Sequence, residues 1–205
     1  GVTTRLDENH YIMTTTTGGA ANVLSKLEDY LQTEWSELDV YLTSVTDHYA
    51  TISICGPNSK KIIAKVIPDL ELSDKEFPHM SFKNAVISNV KCRVMKISFT
   101  GEHSYEINIR SSYGKSVWEK CYEAGKEFNI TPYGTETMHL LRAEKGFIIV
   151  GQDTDGTMTP IDLQMDWIIS KNKYDFIGKR SLYRSDTIRE DRKQLVGLLT
   201  DDPKE

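Results

Sequence analysis

The stretch SFTGEHSYEINI, residues 98–109, decides how this chain is read. Thr100-Gly101-Glu102 has the composition of a turn. Beyond it the side chains alternate. Tyr105, Ile107 and Ile109 fall on one face of an extended segment, and Glu106, Asn108 and Arg110 fall on the other. That is a strand with one apolar and one polar face. Glu106 has two readings. It is a solvated surface charge, the ordinary state of a strand carboxylate, or it points into a pocket. A carboxylate accepts two parallel hydrogen bonds, so a pocket built on Glu106 suits a ligand with an N–H/NH₂ edge, as pterin and guanine rings have.

Working outward, the flanking segments alternate between strand and helix patterns. HYIMTTTT (10–17) is rich in β-branched residues and reads as a strand. After Gly18-Gly19, Val23, Leu24, Leu27, Tyr30 and Leu31 recur at helical spacing. DVYLTSV (39–45) and HYATISIC (48–55) read as strands. The segment 56–67 reads as a helix, with Pro57 near its first turn. Residues 84–99 hold one or two strands and 104–110 another. Residues 113–128 and 134–146 read as helices, the second closed by Gly146, and 178–190 as a last helix or half-helix. Val117, Trp118, Cys121 and Ala124 form one stripe of the 113–128 helix. The expected class is α+β, antiparallel sheets with helices packed on them in split βαβ units.

The chain has 205 residues, enough for one large domain or two small ones. Its net charge of −5 argues against a nucleic-acid footprint. No apolar run approaches a membrane span. Cys55, Cys92 and Cys121 make no CxxC pair, and the five histidines show no zinc spacing. Buried free thiols in a reducing compartment, the cytoplasm, are expected. No metal site is expected: Asp153 and Asp155 sit in a D-x-D-G stretch without the remaining ligands of a calcium loop, which leaves turn formation. Gly-Gly at 18–19 lacks the patterns of a nucleotide loop, and no nucleophile elbow occurs. Both ends are expected to continue into further chain.

Several blocks together resemble one family. SFTGEHSYEI is similar to the T-G-E-x-x-x-E-I signature of the glycine-cleavage T-protein (aminomethyltransferase) family. LLRAEKGFIIVGQDTDGTMTP (140–160) resembles its L-R-x-E-x-G…G-x-D…T-P block, and KYDFIGKRSL (173–182) its F-I-G-x-x-x-L segment. TTTTGGAANVLSKLEDYLQTEW, YGTETMHLLRAEKGFIIVGQDTDGT and RKQLVGLLTDDPKE resemble the branch of that family found in α subunits of heterotetrameric sarcosine oxidases. The resemblance runs along nearly the whole chain.

The resemblance implies the aminomethyltransferase folate-binding fold, with tetrahydrofolate as ligand. It implies an aminomethyltransferase-like region over 1–192, made of two intertwined α+β lobes, and the start of a C-terminal barrel at 193–205. The implied reaction is one-carbon transfer: the imine or formaldehyde-level product of sarcosine oxidation joins tetrahydrofolate as 5,10-methylenetetrahydrofolate. A folate-binding or scaffold module without catalysis is the alternative. Glu106 matches the family glutamate that grips the pterin ring, and Thr15, Tyr105 and Met138 are the other implied folate contacts. Met138, with His139 beside it, stands where T-proteins carry an arginine. The family's catalytic aspartate would fall just upstream of Gly1, so no catalytic residue is assigned here, and the piece alone is expected to be inactive. FAD, FMN and NAD, and the other oxidase subunits as partners, belong to the intact multi-subunit enzyme.

Overall fold

The computed structural model describes residues 1–198 and 201. The chain divides into two compact units, Gly1–His139 and Leu140–Glu205.

The first unit opens with an antiparallel hairpin of β1 (Val2–Asp7) and β2 (His10–Thr14). Helix α1 (Ala20–Thr33) follows. Its stripe of Val23, Leu24, Leu27, Tyr30 and Leu31 is half-buried, while the positions between them are exposed. A four-stranded antiparallel sheet comes next, built from β3 (Tyr49–Cys55), β4 (Phe82–Ile87), β5 (Val90–Met95) and β6 (Ser104–Arg110). Its order is β3-β6-β5-β4. Helix α2 (Ser59–Val66) lies between β3 and β4 in sequence and carries the chain from one edge strand to the other. Ser88 and Asn89, both at positive φ, make the two-residue turn between β4 and β5. That backbone twist matches the twist of the strands it joins. Helix α3 (Gly114–Gly125) follows β6.

One face of the sheet makes the core. Ile52, Ile54, Cys92, Val94, Tyr105, Ile107 and Ile109 project there against Ile62, Ile63 and Val66 of α2 and Val117 and Cys121 of α3. Ile63, Ile107, Ile109 and Phe77 are fully buried. Burying each such side chain contributes roughly 1.5–3 kcal/mol. The α+β class with antiparallel sheets is as the strand alternation implied.

Several local expectations need correction. Residues 39–45 form no strand: no neighbouring strand offers them a ladder, and Val40 and Tyr41 are exposed. Residues 178–190 form one 3₁₀ turn, Lys179–Tyr183, rather than a helix. Residues 193–198, the start of the segment expected to begin a barrel, form no strand, and the rest of that segment lies outside the described residues, save 201. Trp118 is exposed and stacks on Tyr122, so it leaves the α3 core stripe. Trp35 and Trp167 are exposed too. Cys92 and Cys121 are buried thiols, each pushed up to about 11 by burial, but Cys55 is only half-buried.

Helix α4 (Thr135–Glu144) spans the boundary between the units. In the second unit charged residues do the structural work. Arg142, buried late in α4, donates to the Phe147 carbonyl at 3.0 Å and pairs with the Asp153 carboxylate. Gly146, at φ +74°, makes the reversal this pair closes. Asp155 accepts the Thr157 N–H at 2.8 Å, which confirms the turn reading there. Asp162, 2% exposed, receives Nε of Arg192 at 2.7 Å and Nη2 at 2.6 Å. The Arg192 guanidinium, helped by the Thr159 N–H, holds the Asp162 carboxyl well below the usual carboxylate range. No helix among the described residues is long and apolar enough to cross a membrane.

A candidate ligand-binding face

The other face of the four-stranded sheet carries the polar residues. Register places Glu106 between Ser53 of β3 and Met95 of β5, and Asn108 between Thr51 and Arg93. Cross-strand partners share a face, so these six side chains form a patch across three strands. The patch is not uniformly solvated. Met95 and Asn108 are 1% and 3% exposed, and Glu106 and Arg93 are half-buried.

Asn108 fixes the middle of the patch. Its Oδ1 accepts the Thr51 hydroxyl at 3.4 Å, and its Nδ2 reaches the Met95 sulfur at 3.4 Å. At the end near Gly56, the Cys55 thiol donates to the Tyr133 hydroxyl at 3.2 Å. Tyr133 is pushed up to about 12, first by burial and then by Cys55, with the Glu106 charge adding to the shift. Tyr133 therefore stays a neutral hydroxyl within electrostatic reach of Glu106.

Glu106 is the unusual member. Burial alone raises its carboxyl above the ordinary value. Among the described residues no hydrogen bond or ion pair engages its carboxylate. A half-buried acceptor group with no hydrogen-bond partner among the described residues suits a ligand with a pair of donors. Of the two readings of Glu106, the solvated surface charge is the one the burial disfavours.

The other expected contacts separate from it. Tyr105 is 2% exposed on the core face, its ring 5.9 Å from that of Phe77. Strand alternation turns it away from Glu106, so the Tyr105 expectation is corrected to a core residue. Thr15 follows β2 and donates its hydroxyl to the Thr16 carbonyl at 3.0 Å. Met138 is half-buried in α4. No hydrogen bond ties either to the Glu106 patch among the described residues. Glu102 sits in the expected turn, where its N–H meets the Thr100 hydroxyl at 3.4 Å. Tyr133, Cys55 and Arg93 are not legible as site residues in the sequence. A tyrosine before Gly134, a lone cysteine and a strand arginine carry no motif, and only the sheet register brings Cys55 and Arg93 to this face. An open hollow of about 480 Å³ lies elsewhere, lined by Asp47, His48 and residues 110–113.

The GCVT N-terminal domain model matches residues 1–173, and the chain belongs to that family. Among curated relatives it is 58% identical to the sarcosine oxidase subunit alpha of Corynebacterium sp. (strain P-1), over 97% of this chain and 21% of that protein. It is 40% identical to the sarcosine oxidase subunit alpha of Rhizobium meliloti, over 100% of this chain and 21% of that one. An aminomethyltransferase of Thermoanaerobacter sp. (strain X514) is 30% identical over 87% of this chain and 46% of its own length. The chain thus spans about a fifth of the length of the oxidase subunits it matches.

Proposed function

We propose that the Glu106 face holds the reduced pterin ring of tetrahydrofolate, and that the chain is the one-carbon-transfer region of a sarcosine-oxidase-type α subunit. In this reading Glu106 accepts the two donors of the pterin N–H/NH₂ edge through its two oxygens. Thr15 and Met138 are further proposed contacts. The region positions the folate N5 to add to the imine or formaldehyde-level carbon; N10 then closes on the same carbon as the amine or water departs, and 5,10-methylenetetrahydrofolate leaves. FAD, FMN and NAD, and the companion subunits, belong to the larger assembly this reading implies. The aminomethyltransferase-like region over 1–192 and a barrel beginning at 193 remain part of the same proposal. Free thiols fit a reducing compartment such as the cytoplasm.

The observation that carries the reading is the half-buried, unpartnered Glu106 carboxylate on the face the core does not use. Calorimetric titration with 5-formyltetrahydrofolate tests it. The chain is expected to bind, and Glu106→Gln, which turns one acceptor oxygen into a donor, is expected to lose tenfold or more in affinity. Equal binding by both would remove Glu106 from the site. Adding tetrahydrofolate and formaldehyde, and assaying methylenetetrahydrofolate, separates a transferase from a folate-binding module without catalysis.

A further inference from the structure

Glu106 is not the only unpartnered polar group on this face. Arg93 of β5 lies one strand away and one residue pair along, opposite Asn108. Its guanidinium carbon lies 6.0 Å from the Tyr49 ring centre and 5.9 Å from that of Phe82. Its Nε and Nη1 are buried and have no hydrogen-bond partner among the described residues. No ion pair engages it among the described residues. Arg142 and Arg192, also shielded, each pair with an aspartate and a backbone carbonyl, and Arg142 leaves only its Nε without a partner. Two aromatic rings at this distance attract a cation, but they do not take up its N–H donors. Shielded guanidinium nitrogens with idle donors are costly until an acceptor arrives.

We propose that Arg93 is a second ligand-contacting residue of this face, donating from its planar fork to an acceptor oxygen of the same ligand that Glu106 grips. The inference rests on the folate reading and deepens it. The face then offers an acceptor at Glu106 and a donor fork at Arg93, with Cα atoms about 7–8 Å apart on the diagonal of the sheet. The complement is a ligand with a donor edge and, within that reach, an oxygen acceptor. In a reduced folate that oxygen is either the ring carbonyl or a carboxylate of the glutamyl tail.

Two probes distinguish these sources: 5-formyltetrahydrofolate, and a tetrahydropterin without the benzoylglutamate tail. Each is titrated into the parent chain, Arg93→Met, Arg93→Lys and Glu106→Gln, with thermal melts alongside. Arg93→Met is expected to weaken folate binding tenfold or more while lowering the melting point only slightly, since among the described residues Arg93 makes no hydrogen bond or ion pair and gives up only its contacts with the Tyr49 and Phe82 rings. Loss with both probes places the acceptor on the ring, and loss confined to the folate places it on the tail. Folate affinity of Arg93→Met within twofold of the parent overturns the inference. If Arg93→Met does not fold, Arg93→Lys decides. It keeps the charge without the planar fork, so a threefold or greater loss supports the inference and a smaller one overturns it. Binding lost in Glu106→Gln but kept in the Arg93 variants leaves the folate reading standing alone. A parent chain that binds neither probe overturns both.

Discussion

At the residue scale, Glu106 carries a conflict between stability and binding. Its folded carboxyl titrates above its unfolded value because burial disfavours the charge. Between the two values the folded state binds more protons, so the charge weakens folding at neutral pH. That weakening is relieved as pH falls through the raised value. Glu106→Gln is therefore expected to melt at or above the parent at pH 7, with the gap narrowing on acidification, while folate affinity collapses. A melting point well below the parent at pH 7 would mean the carboxylate has a structural partner. Asp162 has the opposite sign. Its lowered carboxyl contributes stability at neutral pH that is lost as pH falls below the ordinary carboxylate range. Removing its partner in Arg192→Met is expected to cost about 3 kcal/mol in denaturant melts, because the buried charge loses its counter-ion. The alternation at 104–110 was legible in the sequence and placed Glu106 on the right face. Its burial was not, because it depends on residues distant in sequence, such as its cross-strand neighbours Ser53 and Met95, that only the fold brings near. The Asp162–Arg192 pair spans 30 residues and leaves no local trace.

Elements were legible where a periodic pattern coincided with a packing partner. The five-residue stripe of α1 follows the helical period and is half-buried, and the apolar faces of α2 and α3 follow it and meet the core. Residues 39–45 show the limit: β-branched and aromatic composition favours extension, but a strand needs a neighbour, and this segment has none. The junction of α3 with β3 adds a constraint that no propensity reveals. A Cβ on Gly114 would lie 2.7 Å from that of Ala50. Gly114→Ala is therefore expected to destabilise by roughly 1–3 kcal/mol, as overpacking does, and chemical denaturation measures it. An unchanged midpoint would show that α3 shifts freely on the sheet. Ile107→Ala, at a fully buried position on the same strand as Glu106, is expected to cost about 2–5 kcal/mol.

For the whole molecule, burial is unevenly shared. Among the described residues every buried hydrophobic side chain lies between Ile52 and Cys121. The second unit buries Arg142, Thr159 and Asp162 instead and leaves Trp167, Tyr174 and Tyr183 exposed. Local opening free energy follows buried apolar contact. Hydrogen exchange is accordingly expected to be slowest in β5 and β6 and fast over 147–198. Uniform protection would contradict that division. The alternation at 104–110 located a strand of the core sheet, whereas the Arg142–Asp153 pair was not legible, because it joins a helix end to a loop eleven residues on. Nor could the sequence reveal Arg93, whose position follows from strand register alone. The central claim is that the polar face of this sheet is a folate site hung on Glu106. A crystal structure of the chain with 5-formyltetrahydrofolate tests it most directly. The account predicts both Glu106 oxygens at about 2.7–3.0 Å from the pterin N–H and amino group. A pterin bound elsewhere, with Glu106 facing water, would contradict it.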